Sequence, residues 1–202
     1  MKIFKKGYTL AEVMIVLALL GILAAILLPA ISKVRPNRDK MMFKKAYHVA
    51  ERIVYELVNN DDLYPAKDGE YKGFDNIEDA NYNGEVYSGN TKFCSLFAQH
   101  VNTTADITTC ENTAIVPTGS GTYTIPTLTT TDGIDWYLPI SDFSDTVSIY
   151  VDINGEKAPN CYSGTNNCDK PDILTIKVKP DGKMFVDNTV EQNYLKSNST
   201  VK

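Results

Sequence analysis

The chain lacks the short motifs that announce an enzyme. It has no Gly-x-Ser-x-Gly elbow, no phosphate-binding glycine loop and no dinucleotide fingerprint. Histidine is scarce: only His48 and His100 occur in 202 residues, and neither has a recognisable Ser or Asp partner in sequence. The four cysteines, Cys94, Cys110, Cys161 and Cys168, form no Cys-x-x-Cys pair of the kind that holds zinc. The carboxylates are many and scattered, as on a solvated surface. We read no catalytic residue, no metal site and no cofactor here. Positive charge is also in short supply beyond residue 60, where 10 bases face 21 acids. No nucleic-acid partner is expected, because phosphate binding rests on clustered Lys and Arg.

What is present is unevenly distributed. Hydrophobic residues make up 43% and charged residues 22%, an ordinary globular balance that excludes wholesale disorder. Yet residues 13–28 contain no polar side chain at all. A soluble core helix is amphipathic, whereas this segment is apolar all round. As a helix, residues 8–31 reach about 36 Å at 1.5 Å per residue, enough to cross a hydrocarbon core of about 30 Å. Three lysines, Lys2, Lys5 and Lys6, precede the run. A secretory signal peptide has the same basic start, but its apolar stretch is short and ends at small residues; this one continues past Ala24 and Ala25. A plain signal anchor explains the length but not Glu12, because a carboxylate inside an apolar span is costly and marks function by default.

The stretch Lys5-Lys6-Gly7-Tyr8-Thr9-Leu10-Ala11-Glu12, followed by Val-Met-Ile-Val-Leu, resembles the start of type IV prepilins and type II secretion pseudopilins. Their signature is a short basic leader ending in Gly, an aromatic residue, Thr, Leu, a small residue and Glu, then an unbroken apolar helix. The family usually has Phe where this chain has Tyr8. The resemblance implies that a prepilin peptidase cuts between Gly7 and Tyr8, so that the apolar helix stays on the mature protein. It implies that Tyr8 is methylated on its α-amino group. It also implies that Glu12 pairs with the α-amino group of Tyr8 on a neighbouring subunit in a filament; a buried charge is tolerable when paired, and the pair fixes register. Gly21 and Pro29 stand where pilins often carry a helix-weakening Gly and Pro, and Pro lacks a backbone donor.

The implied architecture is α+β and pilin-like: a long N-terminal helix, membrane-spanning in its first half, packed on a small antiparallel β-sheet head. We divide the chain into a leader (1–7), a transmembrane or filament-core helix (8–31), an amphipathic second half of the helix (32–60) and an extracytoplasmic β-rich head (61–202). Phe43, Ala46, Tyr47, Ala50, Ile53, Val54, Leu57 and Val58 follow the i, i+3, i+4, i+7 spacing of one buried helical stripe. Residues 61–92 read as a loop region and 91–101 as a short helix. Strands are expected at 122–125, 134–138, 146–153, 173–179 and 183–187, the last two joined by the turn Pro180-Asp181-Gly182. The sequence Asp152-Ile153-Asn154-Gly155 fits a strand end and an Asn-Gly turn. An even cysteine count in an extracytoplasmic head reads as disulfides, with three connectivities possible. We favour Cys94–Cys110 with Cys161–Cys168, which closes two local loops; pilin-like proteins often close a C-terminal loop in this way.

Lys and Arg flanking the span are more numerous on its C-terminal side, which taken alone would place the head in the cytoplasm. The leader must face a cytoplasmic peptidase, and the cysteines suit an oxidising compartment, so we read the opposite topology. The reading is a structural subunit of a type II secretion pseudopilus or type IV pilus, not an enzyme. Its partners would be itself and other pilin-like subunits, the prepilin peptidase/methyltransferase, the membrane, and the inner-membrane assembly platform with its ATPase. The rival is a single-pass anchored binding protein or adhesin that never polymerises.

Overall fold

The computed structural model describes residues 9–33, 37–66, 72–104, 110, 115–117, 121, 123–165 and 168–196. The chain divides into two compact units, Met1–Arg38 and Asp39–Lys202. The first unit is built on one helix, α1 (Leu10–Lys33). Its window Leu10–Leu27 has a mean hydropathy of 2.8 and is long enough to cross a membrane. Every described side chain from Leu10 to Leu27 is exposed.

The second unit takes in all of α2 (Arg38–Val58) but its first residue. Its stripe is buried as the spacing predicts: Phe43, Ala46, Ala50, Ile53, Val54, Leu57 and Val58 are in the core, and Tyr47 packs at its margin. Lys45, Glu51, Arg52 and Glu56 are exposed on the other side. Facing the stripe is a five-stranded antiparallel sheet in the order β3 (Leu128–Thr129), β4 (Asp135–Tyr137), β5 (Val147–Asp152), β6 (Ile173–Val178) and β7 (Met184–Phe185). Ile149, Val151, Leu174, Ile176 and Val178 join the α2 stripe in one core. The fold is α+β with a small antiparallel sheet, as expected.

Residues 61–92 are more ordered than a loop. They hold a hairpin, β1 (Ala80–Tyr82) with β2 (Glu85–Tyr87). Its two-residue turn is Asn83-Gly84, with φ of +54° and +86°. Two successive positive φ values are the signature of the hairpin turn whose twist matches the strands, and Asn-Gly is its preferred sequence. The helix α3 (Lys92–Gln99) follows and falls within the expected 91–101. Its first residue is a buried lysine. Lys92 Nζ donates to the carbonyls of Asn76 (3.0 Å) and Glu78 (2.8 Å) and lies 4.4 Å from the Tyr64 ring centre. Burial lowers its pKa to about 8, against the opposing pull of Glu78 and Asp79. The ammonium thereby ties the segment after α2 down onto α3. Beneath it, Phe74, Phe93 and Phe143 form a triangle with centroids 4.8–5.1 Å apart, within the range of favourable tilted aromatic pairs.

The strand expected at 122–125 does not form. Thr122 lies outside the described residues, and 123–125 pair with no strand. Side chains hold the segment instead: Tyr137 Oη donates to the Thr124 carbonyl at 2.7 Å, and Tyr123 Oη donates to Asp135 at 2.8 Å. Leu128–Thr129 takes the sheet edge. A last helix, α4 (Thr189–Leu195), is capped by the Asn188 side chain accepting from the Val190 amide. Its Glu191 is fully buried, where Oε1 accepts from Ser163 Oγ (2.6 Å) and from the Thr175 amide (3.0 Å).

The turn at Pro180-Asp181-Gly182 joins β6 to β7, with Gly182 at φ +79°. A Cβ there would sit 2.9 Å from Val58 Cγ1 on α2. Gly182→Ala therefore meets both backbone strain and a packed neighbour, and is expected to destabilise the head by about 1–3 kcal/mol. A chemical-denaturation midpoint equal to that of the wild type would contradict this.

Candidate functional site

Glu12 is one turn into an apolar helix, and the local geometry shows what holds it there. Thr9 precedes the first residue of α1, and Glu12 is the third residue of that helix. The Glu12 amide donates to Thr9 Oγ1 at 3.3 Å, and the Thr9 amide donates back to Glu12 Oε2 at 2.8 Å. The Thr9 hydroxyl also donates to Oε2 at 2.8 Å. This is a capping box: the first turn of a helix leaves amides without partners, and a Ser/Thr-x-x-Glu pair satisfies two of them reciprocally. The pattern Thr9-Leu10-Ala11-Glu12 carries that signature in the sequence, but the sequence reading took Thr9 and Glu12 only as parts of a leader motif. Their closeness fixes the carboxylate within one turn of the helix start.

Gly7 and Tyr8 lie outside the described residues. Helix α1 runs through both Gly21 and Pro29 to Lys33. At Gly21 an added Cβ would meet nothing within 4 Å, so no close approach inside the chain requires glycine there. In a helix interior glycine costs about 1 kcal/mol relative to alanine.

In the second unit Cys94 is joined to Cys110, and Cys161 to Cys168, with Cα separations of 5.6 and 5.9 Å. The first bridge ties α3 to the segment leading toward β3; the second closes a loop of seven residues before β6. The two histidines are engaged locally. His48 is exposed, with Nδ1 3.2 Å from Glu51 one turn along α2. His100 lies 2.7 Å from the Leu96 carbonyl and stacks on Tyr82 with centroids 5.3 Å apart. Beside it runs a shallow cleft lined by residues that include Lys45, Arg52, Asn102, Asp132 and Trp136. Lys45 and Asp132 form an ion pair of 2.7 Å across it. Burial works to raise the Asp132 pKa, but hydrogen bonds from Lys45 and Thr130 outweigh it and the net shift is downward. Among the described residues, no group of three or more His, Cys, Asp or Glu is placed to hold a metal ion.

The arrangement at the N-terminus presents an apolar helical surface with a single carboxylate held at its start. Thr9→Ala removes one half of the capping box, which typically costs about 1 kcal/mol. We expect the amide of Glu12 to exchange about fivefold faster in this variant in detergent micelles, with Thr9→Ser close to the wild type. Equal exchange in Thr9→Ala and wild type would show that the box does not hold the helix start.

No curated protein and no solved structure shows significant similarity to the chain. The family model described as the prokaryotic N-terminal methylation motif matches residues 4–28. That segment spans the Gly7–Tyr8 bond, the Thr9–Glu12 capping box and nearly all of the apolar run, and on this match the chain carries the prepilin-type signal of type IV pilins and pseudopilins.

Proposed function

We propose that the chain is a type IV pilin-like filament subunit, made as a membrane-anchored prepilin and polymerised through α1. The observation that carries the reading is the prepilin-type signal at residues 4–28 leading straight into a helix whose side chains are exposed from Leu10 to Leu27. An apolar surface of that extent is stable in lipid or against other apolar helices, not in water. In this reading the peptidase cleaves after Gly7, and the new α-amino group of Tyr8 is methylated. Before assembly α1 resides in the bilayer as a single span, and the head lies on the extracytoplasmic side, where two disulfides persist. The assembly platform and its ATPase then move the subunit from lipid into a filament core, exchanging lipid contacts for helix contacts.

Glu12 sets the register of that exchange. Its carboxylate, held at the helix start by Thr9, faces an environment where an unpaired charge is expensive, and the Tyr8 amine of the next subunit supplies the counter-charge. The filament is a type II secretion pseudopilus or a type IV pilus, with other pilin-like subunits as neighbours. Gly21 and Pro29 provide positions at which the helix can give way during packing.

Two measurements on protein from its native host test this. Intact mass and N-terminal peptide mapping are expected to show a mature chain starting at Tyr8 and carrying one methyl group. Glu12→Ala is expected to leave membrane insertion unchanged and to abolish recovery of the chain in sheared filaments. A chain of full length, or one cut near Ala25, would return the protein to the rival class of anchored or secreted binding proteins. So would a Glu12→Ala variant that incorporates normally.

A further inference from the structure

Three carboxylates are buried side by side at one end of the sheet. Asp135 opens β4 and Asp152 closes β5, and the two are direct cross-strand partners. Asp172 immediately precedes β6, and its carbonyl accepts from the amide of Ile153, the residue after Asp152. Their exposures are 2%, 0% and 3%. Like charges directly opposite on a sheet are unfavourable, and burial adds a desolvation cost to each ionised group. An arrangement of this kind needs something to relieve it.

The hydrogen bonds show which of the three is left wanting. Asp135 receives a donor on each oxygen: Thr129 Oγ1 at 2.5 Å on Oδ1 and Tyr123 Oη at 2.8 Å on Oδ2. Asp172 likewise accepts the Cys161 amide at 2.8 Å on Oδ1 and the Asn160 amide at 2.9 Å on Oδ2. Asp152 differs. Its Oδ1 accepts the amides of Asn154 and Gly155, both at 3.0 Å, while its Oδ2 is buried with no donor among the described residues. The same β5–β6 loop buries two more acceptors without a donor among the described residues, the Oδ1 atoms of Asn154 and Asn160. This corner is thus rich in acceptor oxygens and short of hydrogens. A Cβ on Gly155 would lie 3.6 Å from Asp135 Oδ2, so Asp135 and Asp152 close on the same backbone from two sides.

We propose that Asp152 is a proton-binding site of the head, holding a proton on Oδ2 that relieves the cluster and tightens the loop between β5 and β6, and that release of this proton loosens the loop. The titratable groups that act on Asp152 are Asp135 and Tyr137 from β4, Asp172 just before β6 and Tyr123 from the segment before β3; Glu156, exposed in the loop, acts on Tyr123. Burial pushes the Asp152 pKa up to about 7, helped by the charges of Asp172 and Asp135 and opposed by the Asn154 and Gly155 amides. The phenols of Tyr123 and Tyr137 are shifted upward, chiefly by burial, and remain protonated. The loop concerned carries the Cys161–Cys168 bridge, and Asp172 holds its backbone at Asn160 and Cys161.

The sign of the effect follows from linkage. An unfolded aspartate titrates near 3.9, so between about 4 and about 7 the folded chain holds one more proton at Asp152 than the unfolded chain does. The stabilisation is fully present below about pH 4, is lost as pH rises toward about 7, and is gone above that.

The full chain in detergent, unfolded by denaturant from pH ~4.5 to pH ~7.5 and followed by the fluorescence of its single tryptophan, Trp136, tests this against Asp152→Asn. The variant keeps an acceptor for the two amides and mimics the neutral side chain. We expect the ratio of unfolding constants, wild type over variant, to rise by up to about tenfold per pH unit across that window. A ratio that does not change with pH overturns the proposal. If Asp152→Asn does not fold, carboxyl-carbon NMR of the wild type decides: one aspartate titrating near 7 supports the site, and all of them titrating below about 5 overturns it. Stabilisation of the wild type but not of the variant by about 1 mM calcium chloride at pH ~7.5 also overturns it, because the cluster would then be a metal site.

Discussion

Everything about this chain depends on an apolar surface that water does not tolerate. From Leu10 to Leu27 the side chains of α1 are exposed and almost uniformly hydrophobic. The helix has no amphipathic face of the kind that packs a helix onto a soluble core, and a surface of this kind suits lipid or other apolar helices better than water. That constraint explains why a charged residue within it is confined to the first turn. There Glu12 is bonded to a hydroxyl and an amide of Thr9 instead of facing hydrocarbon alone. It also means that the second unit is held together by a core of its own.

The head meets that requirement with a small number of devices. The α2 stripe supplies one wall of the core and the sheet supplies the other. A triangle of phenylalanines belongs to the same core, and a buried lysine fastens the segment after α2 by its carbonyls. Lys92 earns its place by geometry: two carbonyls and an aromatic face take over the solvation it gives up. Of the three carboxylates buried beside the β5–β6 loop, Asp135 and Asp172 are satisfied on both oxygens and Asp152 on one.

Much of this was legible in the sequence, and the exceptions have physical reasons. The helical period from Phe43 to Val58 reads directly because packing against a sheet demands it. The β6–β7 hairpin reads from Pro180-Asp181-Gly182 because the turn needs those backbone angles. The prepilin-type signal reads from its order of residues. The β1–β2 hairpin had an equally good signal in Asn83-Gly84, obscured because its strands are only three residues long and carry little periodicity. The Thr9–Glu12 box had its Ser/Thr-x-x-Glu signature and was missed because a stronger motif overlay it. The buried state of Lys92, Asp135, Asp152 and Asp172 had no local signal. Each is an ordinary polar residue until the sheet register and the chain's return bring it inward, and register is a long-range property.

The order of the sheet has a kinetic consequence. Each strand pairs with its neighbour in sequence, β3 to β4 through to β7, and both cross-links close short segments, 16 and 7 residues apart. Contacts of this kind close small loops and carry a low entropic cost, which favours rapid folding. Within the sheet, no strand has to wait for a partner that is distant in sequence.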